Sequence, residues 1–408
     1  MKLEQLKKKK IAVLGFGKEG KDTFFALRKL FPKKVIGIAD KEKVEKPDKN
    51  TKIYSGKNYL KALDDYELIF KTPGIPISKI KKYKKKITSQ AEILFDNFKG
   101  LIIGITGTKG KGTTATLIYQ ILKKAGFKVY LVGNIGKPVF QKLLKAKEDE
   151  ILVYELSSHQ LQTLKKSPQI AVFLNLFPDH LDYYKNFKEY QRAKENIFRY
   201  QKKEDFLIYN PELKNIVKKA KSKKIPFKKG MDVSLKGDFN QLNAEAAFLT
   251  VKLLNVPDKT IKSVLKNFKG LKHRLEYVGK LKGIHFYNDS MSTLPEVTIA
   301  ALKALPKTSV LIFGGSDKGS DYRKLSELVA KKRIQVIVLG EGTGQKLKTK
   351  KTKVFSMEEA VKLCFEKAKK GEVCLLSPGS ASFNLFSDYK ERGDLFKKWV
   401  KYYGKKKN

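Results

Sequence analysis

Thr106-Gly-Thr-Lys-Gly-Lys-Gly-Thr-Thr114 is rich in the residue types that hold a polyphosphate. Glycines let backbone N–H groups close around phosphate oxygens, and a helix starting at this point adds a favourable field for anions. Gly107, Thr108, Lys109 and Gly110 form such a loop, and Lys111 is placed to reach the terminal phosphates. The spacing departs from the full phosphate-loop pattern. Gly112 follows the lysine, so a Mg²⁺-binding hydroxyl must come from Thr113 or Thr114. A glycine-rich turn before a helix can also be an ordinary connection; the preceding apolar strand, the lysine and the threonines together favour the nucleotide.

A second glycine pattern, Gly15-Phe-Gly-Lys-Glu-Gly20, has Asp40 about twenty residues further on. Alone it would suggest a dinucleotide-dependent oxidoreductase. A nucleotide diphosphate at the same helix start suits the glycines equally well. Other polar clusters follow apolar strands: Glu155-Leu-Ser-Ser-His-Gln160 and Asn175-Leu-Phe-Pro-Asp-His-Leu-Asp182. His180 between Asp179 and Asp182 could hold a cation, although a lone histidine is more often a hydrogen-bonded structural one. Lys194, judged alone, is one more surface lysine. Asn240 and Asn243 lie one helical turn apart and can share a face for base recognition or for helix packing.

These residues need a scaffold, and the chain alternates short apolar runs with amphipathic helical patterns, as in α/β sheets covered by helices. Strands are expected at Ile11–Gly15, Val35–Asp40, Leu68–Phe70, Leu101–Thr106, Val129–Val132, Ile151–Glu155, Ile170–Asn175, His285–Asn288, Val310–Phe313, Val336–Leu339 and Val373–Leu376. Helical spacing such as Leu325, Leu328 and Val329 supplies the crossovers. The 408 residues divide into three α/β domains, 1–98, 99–271 and 272–408.

Composition narrows the class. A hydrophobic fraction of 41% suits a globular protein. No apolar run spans a bilayer and the N-terminus lacks a secretory pattern, so a cytoplasmic protein is expected. Cys364 and Cys374, the only two cysteines, match neither a disulfide framework nor a zinc spacing. The 87 Lys and Arg against 41 Asp and Glu give a net charge of +46, which raises nucleic acid as a partner. The basic runs are scattered and lack interleaved stacking aromatics, so solvated surfaces that draw in anionic nucleotides are the preferred reading.

Taken in order, these segments resemble the Mur ligases, from about residue 11 to 396. Tyr190-Gln-Arg-Ala-Lys-Glu-Asn-Ile197, Gly237–Ala247, Gly270-Leu-Lys-His-Arg-Leu-Glu276, Asn288-Asp-Ser290, Gly314-Gly-Ser-Asp-Lys318 and Leu376-Ser-Pro-Gly-Ser-Ala-Ser-Phe383 join those above. Thr72-Pro-Gly-Ile-Pro76, Ser377–Phe383 and Tyr389-Lys-Glu-Arg-Gly393 point to the branch that adds D-glutamate to UDP-N-acetylmuramoyl-L-alanine. The resemblance implies a Rossmann-like N-terminal domain, a central P-loop ATPase-like domain with a mostly parallel sheet, and a Rossmann-like C-terminal domain. It implies an acyl-phosphate ligase using ATP and two Mg²⁺, acting as a monomer on small-molecule substrates.

The implied roles fall on particular residues. Lys111, His180 and Lys194 are catalytic, the last as a carbamate; Thr113, Glu155, His180 and Lys194 hold metal. Gly107–Thr113, Asn240, Asn243, Arg274 and Asp289 bind ATP. The UDP-linked substrate lies on Gly15, Phe16, Gly17, Lys18, Glu19, Asp40, Thr72, Pro73 and Gly74, with Asn134, Ser157 and Gln160 beyond. Lys318, Ser382, Phe383 and Tyr389 take glutamate. Three positions depart from the family pattern. Gly112 replaces a hydroxyl residue, His159 an apolar one, and Met291 a glutamate-binding lysine, which leaves D- and L-glutamate both open. Two further readings compete. The Thr72–Pro76 turn disfavours a folylpolyglutamate-synthetase-like ligase, and Lys111, Glu155, His180 and Lys194 together disfavour a catalytically silent nucleotide-binding protein.

Overall fold

A computed structural model describes residues 1–133, 140, 147–181, 183–228, 230, 238–316, 319–382 and 385–406. Of the expected site residues, Asn134, Lys318 and Phe383 lie outside the described residues.

Three sheets organise the described chain. The first comprises β1 (Ile11–Leu14), β2 (Ile36–Asp40), β3 (Thr51–Ser55), β4 (Leu68–Lys71) and β5 (Ile87–Thr88), parallel in the order β3-β2-β1-β4-β5. The second comprises β6 (Leu101–Thr106), β7 (Val129–Val132), β8 (Ile151–Glu155), β9 (Ile170–Phe173), β10 (Phe206–Tyr209) and β11 (Lys223–Pro226), parallel in the order β11-β10-β9-β6-β8-β7. The third has β12 (Glu276–Leu281), β13 (Ile284–Asn288), β14 (Thr308–Phe313), β15 (Gln335–Leu339), β16 (Lys351–Val354) and β17 (Val373–Leu376), in the order β12-β13-β17-β14-β15-β16. Only its edge pair β12–β13 is antiparallel.

Central strands are mostly apolar because helices cover both faces of a parallel sheet. Every residue of β1, β8, β9 and β17 is buried. The helix Lys111–Lys124 buries Ala115, Ile118, Ile121 and Leu122, the face its spacing predicts; Ala125 lies at its end and is only half-buried. Edge strands are different. β11 (Lys-Lys-Ile-Pro) and β16 (Lys-Thr-Lys-Val) expose all four of their lysines. Charged side chains on an edge discourage pairing with other chains, so part of the positive charge protects sheet margins.

By compactness the chain divides into two units, residues 1–232 with 241–266, and 233–240 with 267–408. The first unit therefore carries both the first and second sheets. Among the described residues no helix is long and apolar enough to cross a membrane.

Candidate active site

In the second sheet the strand order reverses between β6 and β9, and ligands of open parallel sheets bind at such a switch point, beyond the carboxyl ends of the strands. The loop after β6 lies there. Gly107 and Gly110 take positive φ values of 157° and 87°, and Gly110 caps the helix Lys111–Lys124. Asn175, after β9, braces the loop with both ends of its amide: its Oδ1 accepts from Lys109 N at 2.9 Å and its Nδ2 donates to Lys109 O at 3.1 Å. Thr108 Oγ1 accepts from Phe177 N at 2.9 Å and lies 3.1 Å from the Tyr190 hydroxyl. Lys111 Nζ folds back onto Gly107 O and Thr108 O at 3.0 and 3.1 Å, holding a cation in the loop's concavity.

Asn243 packs its carboxamide onto this loop. A Cβ on Gly110 would come within 2.3 Å of Asn243 Oδ1, and Asn243 Nδ2 is buried without a hydrogen-bond partner among the described residues. Gly110→Ala is therefore expected to combine left-handed strain of about 1–2 kcal/mol with displacement of Asn243. A Tm below wild type together with weakened ATP binding by calorimetry checks this; wild-type values for both would refute it.

The helix Phe187–Arg199 begins at Asn186, whose side chain accepts from Glu189 N, and carries Tyr190 and Lys194 on one buried face. Lys194 is 1% exposed. Its Nζ donates to Gly107 O at 2.8 Å and Thr106 Oγ1 at 3.4 Å, and stands 5.0 Å above the Tyr190 ring. Burial first, and then the nearby Lys111 charge, push its amine well below the ordinary lysine value. Lys194 is no surface lysine, and burial favours the neutral form of its amine over the cation.

His180 adopts φ 55°, uncommon for a residue with a Cβ and often found at functional positions. Its ring packs edge-on against His159 at 4.7 Å, and His159 in turn packs on Tyr183 at 4.2 Å. The histidine at 159 thus joins an aromatic cluster that supports His180. Burial would raise the Asp179 carboxyl, but Lys109 and His180 outweigh it and hold it below its ordinary value.

Glu155 ends β8 beside β6, only 5% exposed, and its Oε2 has no hydrogen-bond partner among the described residues. Thr113 is 2% exposed, and Thr114 Oγ1 is also buried without a partner among the described residues. No three His, Cys, Asp or Glu side chains form a metal cluster among the described residues. The donor set nonetheless fits Mg²⁺, which takes one or two carboxylates and completes its shell with water and substrate phosphates. Orphaned buried oxygens on Glu155 and Thr114 are what such an ion would satisfy.

One cleft of roughly 220 Å³ gathers Lys111, Thr108, His180 and Lys194 with Glu19, Pro73, Gly74, Ser157 and Gln160. Ser158, His159 and Tyr190 also line it. On the first sheet, Gly15 has φ 89° and a Cβ there would lie 2.1 Å from Thr72 Oγ1. Phe16 N donates to Asp40 Oδ2 at 2.5 Å and Glu42 N to Oδ1 at 2.9 Å, so both Asp40 oxygens already serve the backbone. Gly17 and Lys18 open the helix Lys18–Leu30, with Gly17 as its N-cap.

In the second compact unit Asp289 is 3% exposed, accepts from Leu275 N and Ser377 Oγ, and is pushed up to about 7 by burial. Arg274 Nη2 lies 3.2 Å from Met291 Sδ, so a guanidinium occupies the neighbourhood of the absent lysine. Ser382 is buried, and Tyr389 O accepts from Ser290 Oγ at 2.8 Å. Arg392 is fully buried and ties Ser290 to Ser380 O. Neither Asn175 nor Arg392 is marked out by its sequence, because single polar residues carry no signal of a bracing role. Asn240 is buried on the helix Asp238–Lys252.

Relatives decide the family. A "UDP-N-acetylmuramoylalanine--D-glutamate ligase" of Clostridium botulinum is 35% identical over 97% of each chain. The chain belongs to the Mur ligase family. The Mur ligase middle domain matches residues 105–265, and the Mur ligase glutamate ligase domain residues 273–379. A Caldanaerobacter subterraneus protein of the same name is also 35% identical, over 97% of this chain and 99% of its own. Among solved structures, the MurF ligase of Thermotoga maritima in complex with ADP shares the fold at TM-score 0.62, with 18% identity and 98% of both chains covered. The Thermotoga maritima MurC ligase gives TM-score 0.59 at 17% identity, covering 97% of this chain and 99% of that one. The α/β fold with mostly parallel sheets is thus as expected.

Proposed function

We propose that this Mur ligase joins D-glutamate to UDP-N-acetylmuramoyl-L-alanine, converting ATP to ADP and phosphate through an acyl phosphate. The observation that carries the reading is Lys194, buried against the phosphate loop in the same cleft as Lys111 and His180. Near-full-length similarity to two ligases bearing that activity in their names supports the choice of substrate.

Lys111 and the loop N–H groups hold the β- and γ-phosphates, and Asn243 and Asn240 take the adenine side. In the transition state negative charge spreads over the transferring phosphoryl group, and preorganised cations stabilise it. Bound at Thr113, Glu155, His180 and the Lys194 carbamate, two Mg²⁺ would neutralise donor and acceptor oxygens. His180 orients the substrate carboxylate, and Gly15–Glu19, Asp40, Thr72–Gly74, Asn134, Ser157 and Gln160 hold the UDP-muramoyl portion. Arg274 and Asp289 reach ATP from residues 272–408, and Lys318, Ser382, Phe383 and Tyr389 receive glutamate. Domains 1–98, 99–271 and 272–408 would carry the UDP-linked substrate, ATP and glutamate in turn. The enzyme works as a cytoplasmic monomer on soluble substrates.

The test supplies ATP, Mg²⁺ and UDP-N-acetylmuramoyl-L-alanine with D- or L-glutamate in separate reactions. ADP release with the D-isomer is expected. Release only with L-glutamate would assign the L-specific branch, consistent with Met291, and no release with either would end the ligase reading.

A further inference from the structure

Glu19 and Lys71 stand out because neither has an evident reason to be charged where it lies. Glu19, in the first turn of the helix Lys18–Leu30, lines the cleft, and its Oε2 accepts from Gln160 Nε2 at 3.2 Å. Lys71 ends β4 at 4% exposure, and the sole hydrogen bond of its amine among the described residues is to Thr72 O at 3.0 Å. The strand order of the first sheet reverses between β1 and β4, so both groups border its switch-point crevice. Glycines hold the helix close there: a Cβ on Gly20 would come within 1.9 Å of Gly15 O. A carboxylate in this crevice opposes the diphosphate of the proposed substrate, and a partly neutral lysine serves it poorly.

We propose that Glu19 and Lys71 form a proton-linked couple in the substrate cleft, taking up a proton from solvent as the nucleotide diphosphate enters. This rests on the UDP-linked substrate proposed for the same cleft. Uptake converts the Glu19 carboxylate to the neutral acid, or the neutral Lys71 amine to the ammonium. Either change makes the crevice one charge more positive and leaves every covalent bond in place.

The surroundings make such uptake easy. Burial raises Glu19 to about 7 against the opposing effects of Gln160 and Lys71, and burial lowers Lys71 to about 8. Around Glu19 stand Lys71 from β4, Gln160 from the helix Ser158–Leu161, and Asp22 from its own helix. Asp22 is held by Gln90, has Lys18 nearby and is itself raised, by burial. Tyr154 of β8 is raised by burial and stays neutral. An arriving anion raises both members of the couple further, so binding gains protons and strengthens as pH falls through 8 towards 7.

Calorimetric titration with UDP-N-acetylmuramoyl-L-alanine at pH 7.5, in phosphate and in Tris, reads the uptake directly, because the two buffers differ in ionisation heat. Buffer-dependent heats corresponding to net proton uptake are expected in the wild-type protein. Affinity should fall with rising pH by at most about tenfold per unit. Glu19→Gln keeps an acceptor for Gln160 and should bind with reduced uptake and a flatter pH dependence; Lys71→Met should bind more weakly and remove the part carried by the amine. Identical heats in both buffers with clear binding would overturn the couple while sparing the substrate reading. Absence of binding at any pH would remove that reading and the couple with it.

Discussion

Lys111→Ala should lower turnover by about 10³-fold or more while the protein remains folded. The size follows from what phosphoryl transfer asks of a protein: little covalent help, but a cation fixed where charge develops, worth about 10²–10³-fold per preorganised donor and more for a full charge. Lys111 Nζ is already held by Gly107 O and Thr108 O, so the cation need not be recruited on binding. Its removal should leave Gly110, Asn175 and the helix start in place, because Asn175 braces the loop through Lys109. Steady-state ADP release beside an unchanged circular dichroism spectrum checks this. Turnover within a few-fold of wild type would remove the phosphate-loop assignment.

Lys194→Ala should also cost turnover, by about 10²-fold or more, through a different route. A neutral buried amine adds to CO₂ to give a carbamate and release a proton, exchanging a would-be cation for an anion that suits Mg²⁺. Because burial lowers this amine from the ordinary 10.5, more of it can react at neutral pH than of an exposed lysine, and that fraction falls as the solution becomes acidic. Wild-type activity should accordingly drop in CO₂-depleted buffer, more steeply towards low pH, and recover with bicarbonate. Added acetate should restore part of the activity of Lys194→Ala, and Lys194→Arg, which keeps a charge without the chemistry, should stay inactive. Wild-type turnover in Lys194→Arg would sink the carbamate.

The same burial acts on stability with a definite sign. A lysine with a lowered folded-state pKa penalises the fold below its unfolded value of 10.5, and the penalty grows as pH falls until the folded pKa is passed. Replacing it with methionine therefore relieves a cost at neutral pH. A Tm in Lys194→Met no lower than wild type would separate lost chemistry from lost folding.

Much of this molecule is legible in residue order because its elements are local. The buried strands β1, β6, β8, β9, β14, β15 and β17 are continuous apolar runs, and the phosphate loop needs glycines and a lysine at fixed spacing. Family resemblance follows from the same segments. The edge strands β3, β11 and β16 escape such a reading because half-exposed, lysine-bearing strands have no apolar run to announce them. β12 escapes as an antiparallel edge paired with β13 across a bulge.

The amino-acid sequence by itself determined the α/β class, the nucleotide loop and the candidates Lys111, Glu155, His180 and Lys194. Only tertiary structure shows that Lys194, among the many lysines, is buried against that loop. Lys194 and a surface lysine are the same letter, and they differ in what burial and Gly107 O do to the amine. Glu19 and Lys71 likewise acquire meaning only where two strands diverge and a helix closes over them. Long-range packing sets the local dielectric, and the dielectric decides whether a charge is kept, lost or exchanged.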